Sequence, residues 1–340
     1  MKENKCALII CWFGNLPEYF PVFLKTCASN DDFDFLLFTD CEIRIELPHN
    51  VKYIPYHFEE LKQGIENIGI HRPSLQKPYR VCDFRPMFGE IFAEQLKMYQ
   101  FWGYCDVDVI FGKLNQFITR EMLESYEAIF NGGHFTLIKN ENKLNELYKK
   151  RGALFNYNTV SHYDGIFAFD EVTGIQRIAK SNNIKAIYHL PYIEAEIKYK
   201  QIVSRCDNIN PENQCFYWEK GELYRCKIDK DRILYQNVAY IHLQKREIRI
   251  FGAIDDTFWI KPNGYEKKEY YGKPSVDDLY KKNPFLGTDI MEQESKNYRR
   301  KKIREILGRT PLQIYIRVRQ EFAHINQNDN AAEERSWKEF

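Results

Sequence analysis

An unbroken apolar run at residues 7–12 (ALIICW) constrains the fold most, because it reads as a strand buried on both faces. A loop with Gly14 and Pro17 breaks it, and residues 18–28 read as a helix. Residues 33–38 (FDFLLF) and 51–55 are further strands, and residues 58–68 a second helix. Strands alternating with helices at such short spacing predict an α/β fold with a mostly parallel central sheet and helices on both faces. The pattern continues with a helix over 87–94, a strand over 99–104, a helix over 115–126 and a strand over 134–138. Residues 165–169 then read as a strand, and Asp170-Glu171 as the opening of a helix that runs to about residue 181. From residue 215 the pattern changes, because 216–218 and 222–228 flank a Glu219-Lys220-Gly221 turn as a hairpin, with another strand at 238–243. Beyond residue 265 the chain is highly charged, with helices over 297–307 and 313–323 and an end expected to fray. The reading is therefore an α/β domain over 1–265 and a basic helical appendage over 266–340.

Composition removes several function classes. With 44% hydrophobic residues in 340, a sizeable core is available and global disorder is excluded. A net charge of +1 gives no global attraction for nucleic acid, so none is expected as a partner and any electrostatic function must be local. The nine cysteines are scattered without a CxxC pair, which with their odd number points to a reducing, cytoplasmic setting. No apolar window approaches the roughly 20 residues of a membrane span, and the run at 7–13 is too short for the core of a signal peptide.

Chemistry concentrates at Asp106-Val107-Asp108. Carboxylates one residue apart project to the same side of an extended segment. At a strand end both can face one hard cation, Mn²⁺ or Mg²⁺. The flanks, residues 100–105 (QFWGYC) and 109–112 (VIFG), are strongly apolar, and acids in such a setting are costly unless paired or metal-bound.

Lys77, Asp83 and Arg85 before a helix, followed by Gly103-Tyr104-Cys105-Asp106-Val107-Asp108-Val109, resemble the donor-binding core of GT-A glycosyltransferases. The likeness is strongest to bacterial capsule and surface-polysaccharide transferases long catalogued only as a domain of unknown function. It extends more distantly to the mannosyltransferase and glucosylating-toxin group, from which the chain departs in its tighter Asp83-Phe84-Arg85 spacing and in a single glycine before the aromatic residue. It covers roughly the first two-thirds of the chain.

The resemblance implies a GT-A fold and a hexosyltransferase with a UDP-sugar donor, UDP-galactose or UDP-galactofuranose among them. The acceptor would be a polysaccharide or lipid-linked saccharide. It places Asp106 nearer the ribose or sugar, Asp108 on the metal, Arg85 on diphosphate or sugar, and Asp83 on sugar hydroxyls. In Tyr240-Ile241-His242-Leu243-Gln244-Lys245-Arg246 it makes His242 a third metal ligand and Lys245 a diphosphate contact. Phe169-Asp170-Glu171 is similar to the acid pair of inverting members, with Glu171 as general base and Asp170 placing the acceptor. By analogy of fold, Phe13 would flank the base and Asp40 would accept from uracil or ribose at the carboxyl edge of the sheet. His134 and His162-Tyr163-Asp164 are candidates for the acceptor pocket.

Each residue also has a plainer reading. Asp83 can cap a helix entered at Pro86, Arg85 can pair with a surface acid, and a helix dipole alone favours acids at 170–171. The basic stretch from Arg299 through Arg304 to Arg319, interleaved with Ile303, Ile306, Leu312 and Ile316, reads as either an anionic-membrane contact or a packed helix. A nucleotidyltransferase or phosphotransfer enzyme and a non-catalytic carbohydrate-binding protein are the rivals. The first ordinarily carries a Gly-rich phosphate loop that this chain lacks, and the second has no need of both Asp106 and Asp108.

Overall fold

The computed structural model describes residues 6–205, 213–229 and 232–331; Cys206 and the end expected to fray lie outside them. It is a mixed α/β protein with three mixed or antiparallel sheets and a C-terminal helical region. The first sheet comprises β1 (Cys6–Trp12), β2 (Phe33–Thr39), β3 (Val51–Pro55), β4 (Phe101–Cys105), β6 (Ala128–Phe130), β7 (Phe135–Lys139) and β8 (Ala186–Ile187), in the order β3-β2-β1-β4-β7-β6-β8. The half from β3 to β4 is parallel, as the unbroken apolar runs predict. Strand β7 runs antiparallel to both β4 and β6, so the parallel reading holds for one half only.

Both faces of this sheet are covered. Ala7, Ile9, Leu36, Phe38, Trp102 and Tyr104 pack with Leu61, Ile65, Phe88, Ile175 and Ile178 from helices on one side. The alternate residues Cys6, Leu8, Ile10, Phe35 and Leu37 pack with Phe20, Phe23 and Leu24 of the helix Phe20–Ala28 on the other. Gly103 lies where the strands come closest, and a Cβ there would collide with the Thr136 carbonyl across the β4–β7 ladder.

A three-stranded sheet of β5 (Val109–Phe111), β13 (Tyr240–His242) and β9 (Tyr192–Glu194) follows immediately after the acid pair. The third sheet contains β10 (Gln214–Glu219), β11 (Glu222–Asp229), β12 (Arg232–Asn237), β14 (Arg249–Phe251), β15 (Thr257–Lys261) and β16 (Gly264–Lys267). Its first two strands are the predicted hairpin, turned at Lys220 and Gly221, whose φ angles of 48° and 92° suit a tight two-residue turn. Helices Val276–Lys282, Thr288–Leu307 and Pro311–Ala331 complete the chain. Among the described residues no helix is long and apolar enough to cross a membrane.

Residues 165–169 are not a strand, and Asp170 and Glu171 do not open a helix. The segment is an irregular turn, with Ala168 at φ 50°, and the helix begins later as Ile175–Ser181. Phe167 and Phe169 are apolar because each is buried singly, not because a neighbouring strand covers them.

Candidate metal centre

Asp106 and Asp108 occupy the link between β4 and β5, at the carboxyl edge of the parallel half, with Val107 buried between them. The Asp106 amide extends the ladder by donating to the His134 carbonyl at 3.1 Å, and the Asp108 carbonyl accepts from Leu243 at 3.0 Å. Those two backbone bonds tie the link to the ends of β7 and β13. The pairing of β5 with β13, which sets Val109 opposite His242, brings the histidine to the acids. His242 Nε2 lies 3.4 Å from Asp108 Oδ1 and 3.7 Å from Asp106 Oδ2. Two carboxylates and one imidazole nitrogen thus converge on a single point.

Arg85 packs against the same acids, bonding Asp106 through Nη2, and through Nη1 Asp170 at 3.2 Å and the Gly133 carbonyl at 3.0 Å. Its guanidinium also lies over the Tyr104 ring, 5.7 Å from the centroid. Its fork is therefore occupied by the centre's own acids rather than by a surface acid. Burial alone would push the Asp106 carboxyl up, but Arg85, His242 and His134 outweigh it and hold it below the usual range. For His242 burial favours the neutral ring, yet the Asp108 charge and bonds to Asp108 and Glu194 push it well above the usual imidazole value.

Asp170 is buried and Glu171 is exposed, although they are adjacent. Burial, then the Glu171, Asp83 and Asp106 charges working against Arg85, push the Asp170 carboxyl well up. Glu171 is pushed up more modestly, by desolvation against a lowering from His134 and then by Asp106, and water at its open surface screens those charges. Gly132 and Gly133 allow the close approach: a Cβ on Gly133 would come 2.6 Å from Glu171 Cγ, and one on Gly132, at φ +67°, 2.5 Å from His134 Nε2.

The other sequence candidates divide. Lys245 is exposed with its ammonium over Tyr79, 4.7 Å from the ring centroid, and the Asp108 charge reaches it. Lys77 is exposed and forms no hydrogen bond or ion pair with the acids. Phe13 is a core residue, edge-on to Phe58 at 5.2 Å, and Asp40 is taken by the Gly14 amide at 3.0 Å. Asp83 is fully buried: it binds Arg80 at 2.6 Å and accepts from the amides of Phe167 and Phe169 at 3.0 Å each. It has no open surface to offer a sugar hydroxyl, so its role is to hold the segment that carries Asp170 and Glu171. His162 bonds the carbonyls of Asn158 and His71, away from the acids, and its neighbours Tyr163 and Asp164 are exposed.

Several residues at the centre have weaker sequence signals. Glu194 follows the apolar pair Tyr192-Ile193 and is itself followed by Ala195-Glu196, and His134 follows a glycine pair after β6. Tyr19 is half-buried, with its phenol pushed up by burial and by the Asp108 and Asp106 charges. The Tyr265 phenol is pushed up by burial, then by Tyr19 and the Asp108 charge, and its hydroxyl has no hydrogen-bond partner among the described residues. A separate half-open cavity of about 370 Å³, lined by Phe251, Trp259, Tyr270 and Lys282, lies on the third sheet. None of the acids at the centre lines it, and its Glu266 is already paired with Lys261 and Lys282, so it is distinct from the acid cluster.

Residues 8–269 match a family whose only description is one of unknown function, DUF6625. The chain belongs to that family. No curated protein and no solved structure matches it. The family match covers both acids, His242, Glu194 and Lys245, and stops before the C-terminal helices Val276–Lys282, Thr288–Leu307 and Pro311–Ala331.

Proposed function

We propose that this chain is a metal-dependent glycosyltransferase of GT-A type that moves a hexose from a nucleoside diphosphate sugar, a UDP-sugar with UDP-galactose and UDP-galactofuranose among the candidates, to a polysaccharide or lipid-linked saccharide. One observation carries the reading: Asp106 and Asp108 meet His242, which is far away in sequence, at the carboxyl edge of parallel strands, where such sheets bind nucleotides. The donor set fits the cation. Two carboxylate oxygens suit Mg²⁺ or Mn²⁺, and the imidazole nitrogen favours Mn²⁺ of the two. When bound, that cation neutralises charge on the departing diphosphate.

This chain's own residues would do the rest. Arg85 fixes the Asp106 carboxylate and is bonded on its other arm to Asp170. Lys245 is exposed and feels the Asp108 charge, and its ammonium would hold a phosphate oxygen. Glu171 is the exposed acid beside the cluster and would take the proton from the acceptor hydroxyl, as inversion requires. Asp170, buried against Arg85, is a support rather than a partner for the acceptor.

The test is a panel of nucleotide sugars incubated with Mn²⁺ and acceptor extracts, reading release of free nucleotide. Turnover with one donor is expected, and Asp108→Ala should be silent. Undiminished turnover in that variant would remove the reading.

A further inference from the structure

We infer that Glu194, supported by His134, sets the tautomer and aim of His242, so that the Nε2 lone pair rather than an N–H faces the acid pair. The inference rests on the reading of Asp106, Asp108 and His242 as a cation site. A neutral imidazole has one N–H and one lone pair, and here its two nitrogens face rival acceptors. Nδ1 lies 3.2 and 3.3 Å from the two Glu194 oxygens, and Nε2 lies 3.4 Å from Asp108 and 3.7 Å from Asp106. Were the hydrogen on Nε2, the ring would bond the acids and close the point a cation needs. Glu194 must therefore hold the hydrogen on Nδ1.

The surroundings equip Glu194 to do so. It is 8% exposed and pairs with His242 in parallel register across β9 and β13, which places both side chains on one face. His134 Nε2 lies 2.9 Å from Glu194 Oε2, and His134 Nδ1 lies 3.0 Å from the Tyr240 hydroxyl. That hydroxyl accepts from the Asn131 side-chain amide, and its own hydrogen has two acceptors in reach, His134 Nδ1 at 3.0 Å and the more distant Asn131 carbonyl at 3.3 Å. His134 then presents Nε2–H to Glu194, and its ring lies beside that of His242 with centroids 4.3 Å apart. Gln244 donates a third hydrogen bond to Glu194. A carboxylate accepts all three, whereas an amide at the same place would turn its NH₂ toward one of the donors. Glu194 and His134 are thus positioning residues, as expected of the layer behind a metal-bound histidine.

The decisive variant is Glu194→Gln in the full chain, with folding checked by circular dichroism. Free Mn²⁺ counted by electron paramagnetic resonance, with no nucleotide present, should show affinity about 10–100-fold below wild type. Nitrogen NMR of ¹⁵N-histidine-labelled, metal-free protein at alkaline pH should show His242 protonated at Nδ1 in wild type and shifted toward Nε2 in the variant. Mn²⁺ affinity within twofold of wild type, or an unchanged tautomer, would overturn the inference. If wild type itself takes no Mn²⁺, the cation-site reading fails, while the NMR measurement still decides what Glu194 does. If Glu194→Gln does not fold, His134→Gln serves instead. It should shift the His242 tautomer and weaken Mn²⁺ several-fold, and wild-type behaviour in both readouts would overturn the inference.

Discussion

His242 is pulled in opposite directions. Burial disfavours its charged form, while Asp108 and Glu194 favour it, and the acids win. Below that raised value a proton on Nε2 would hold the place between ring and acids that a cation would take, so the two would compete. Mn²⁺ affinity should fall by about tenfold per pH unit as pH drops below the raised His242 value, because each ion bound displaces one proton. Calorimetric titrations across pH, in buffers of different ionisation enthalpy, would show the released proton; a flat profile would exclude Nε2 as a ligand. Glu171 makes a separable prediction. Glu171→Gln should cut sugar transfer by roughly 10²–10⁴-fold, the usual worth of a general base, with Mn²⁺ and nucleotide affinity unchanged. Equal loss of both would mean that Glu171 serves binding. The sequence singled out both as candidates, His242 through a motif and Glu171 through its likeness to an acid pair at a helix start, a start that the structure puts at Ile175 instead. Glu194 was hard to see because nothing local marks an acid whose partners come from two other strands.

At the level of elements, the parallel half of the first sheet could be read because strands buried on both faces leave unbroken apolar runs. The third sheet was recognised only in its hairpin, since β12 is intermediate or exposed along its whole length and carries no such run. The misread segment 165–169 has a different cause: its backbone amides are satisfied by a side chain. Asp83 takes the amides of Phe167 and Phe169, and Arg80, 3% exposed, bonds Asp83 and the carbonyls of Gly165 and Val160. Burial pushes the Asp83 carboxyl up even against these partners, which marks how dry the site is. Asp83→Asn should therefore destabilise the fold by about 3–5 kcal/mol, the usual cost of stranding one member of a buried ion pair. Urea unfolding followed by fluorescence would measure it. A donor-binding role for Asp83 would instead lower nucleotide affinity with an unshifted midpoint.

For the whole molecule, the question is what the helices Thr288–Leu307 and Pro311–Ala331 add to a chain whose family match ends at residue 269. The last helix has two working faces. Ile316, Gln320 and Ala323 are buried, with Gln320 bonding the Ile166 carbonyl and Ile316 packed against Gly165, so this face holds the segment leading to Asp170 and Glu171. Tyr315, Val318 and Phe322 fall on a different stripe and are exposed, Phe322 at 63%, although the Tyr315 ring also meets Phe155 edge-on at 6.2 Å. Arg319 flanks that stripe, and the preceding helix adds exposed Ile303 and Ile306 beside Arg299, Arg300 and Lys301, none of which forms an ion pair among the described residues. Apolar side chains with unpaired cations suit an anionic lipid surface, each basic residue contributing about 1 kcal/mol near it. We expect the full chain to co-sediment with vesicles containing phosphatidylserine but not with phosphatidylcholine alone, and to be released as salt rises through physiological strength. Phe322→Glu with Val318→Glu should lower the bound fraction several-fold without altering Mn²⁺ affinity, because both residues lie on the exposed stripe. Equal binding to neutral vesicles, or none to anionic ones at low salt, would leave these helices as a brace for the segment beneath them.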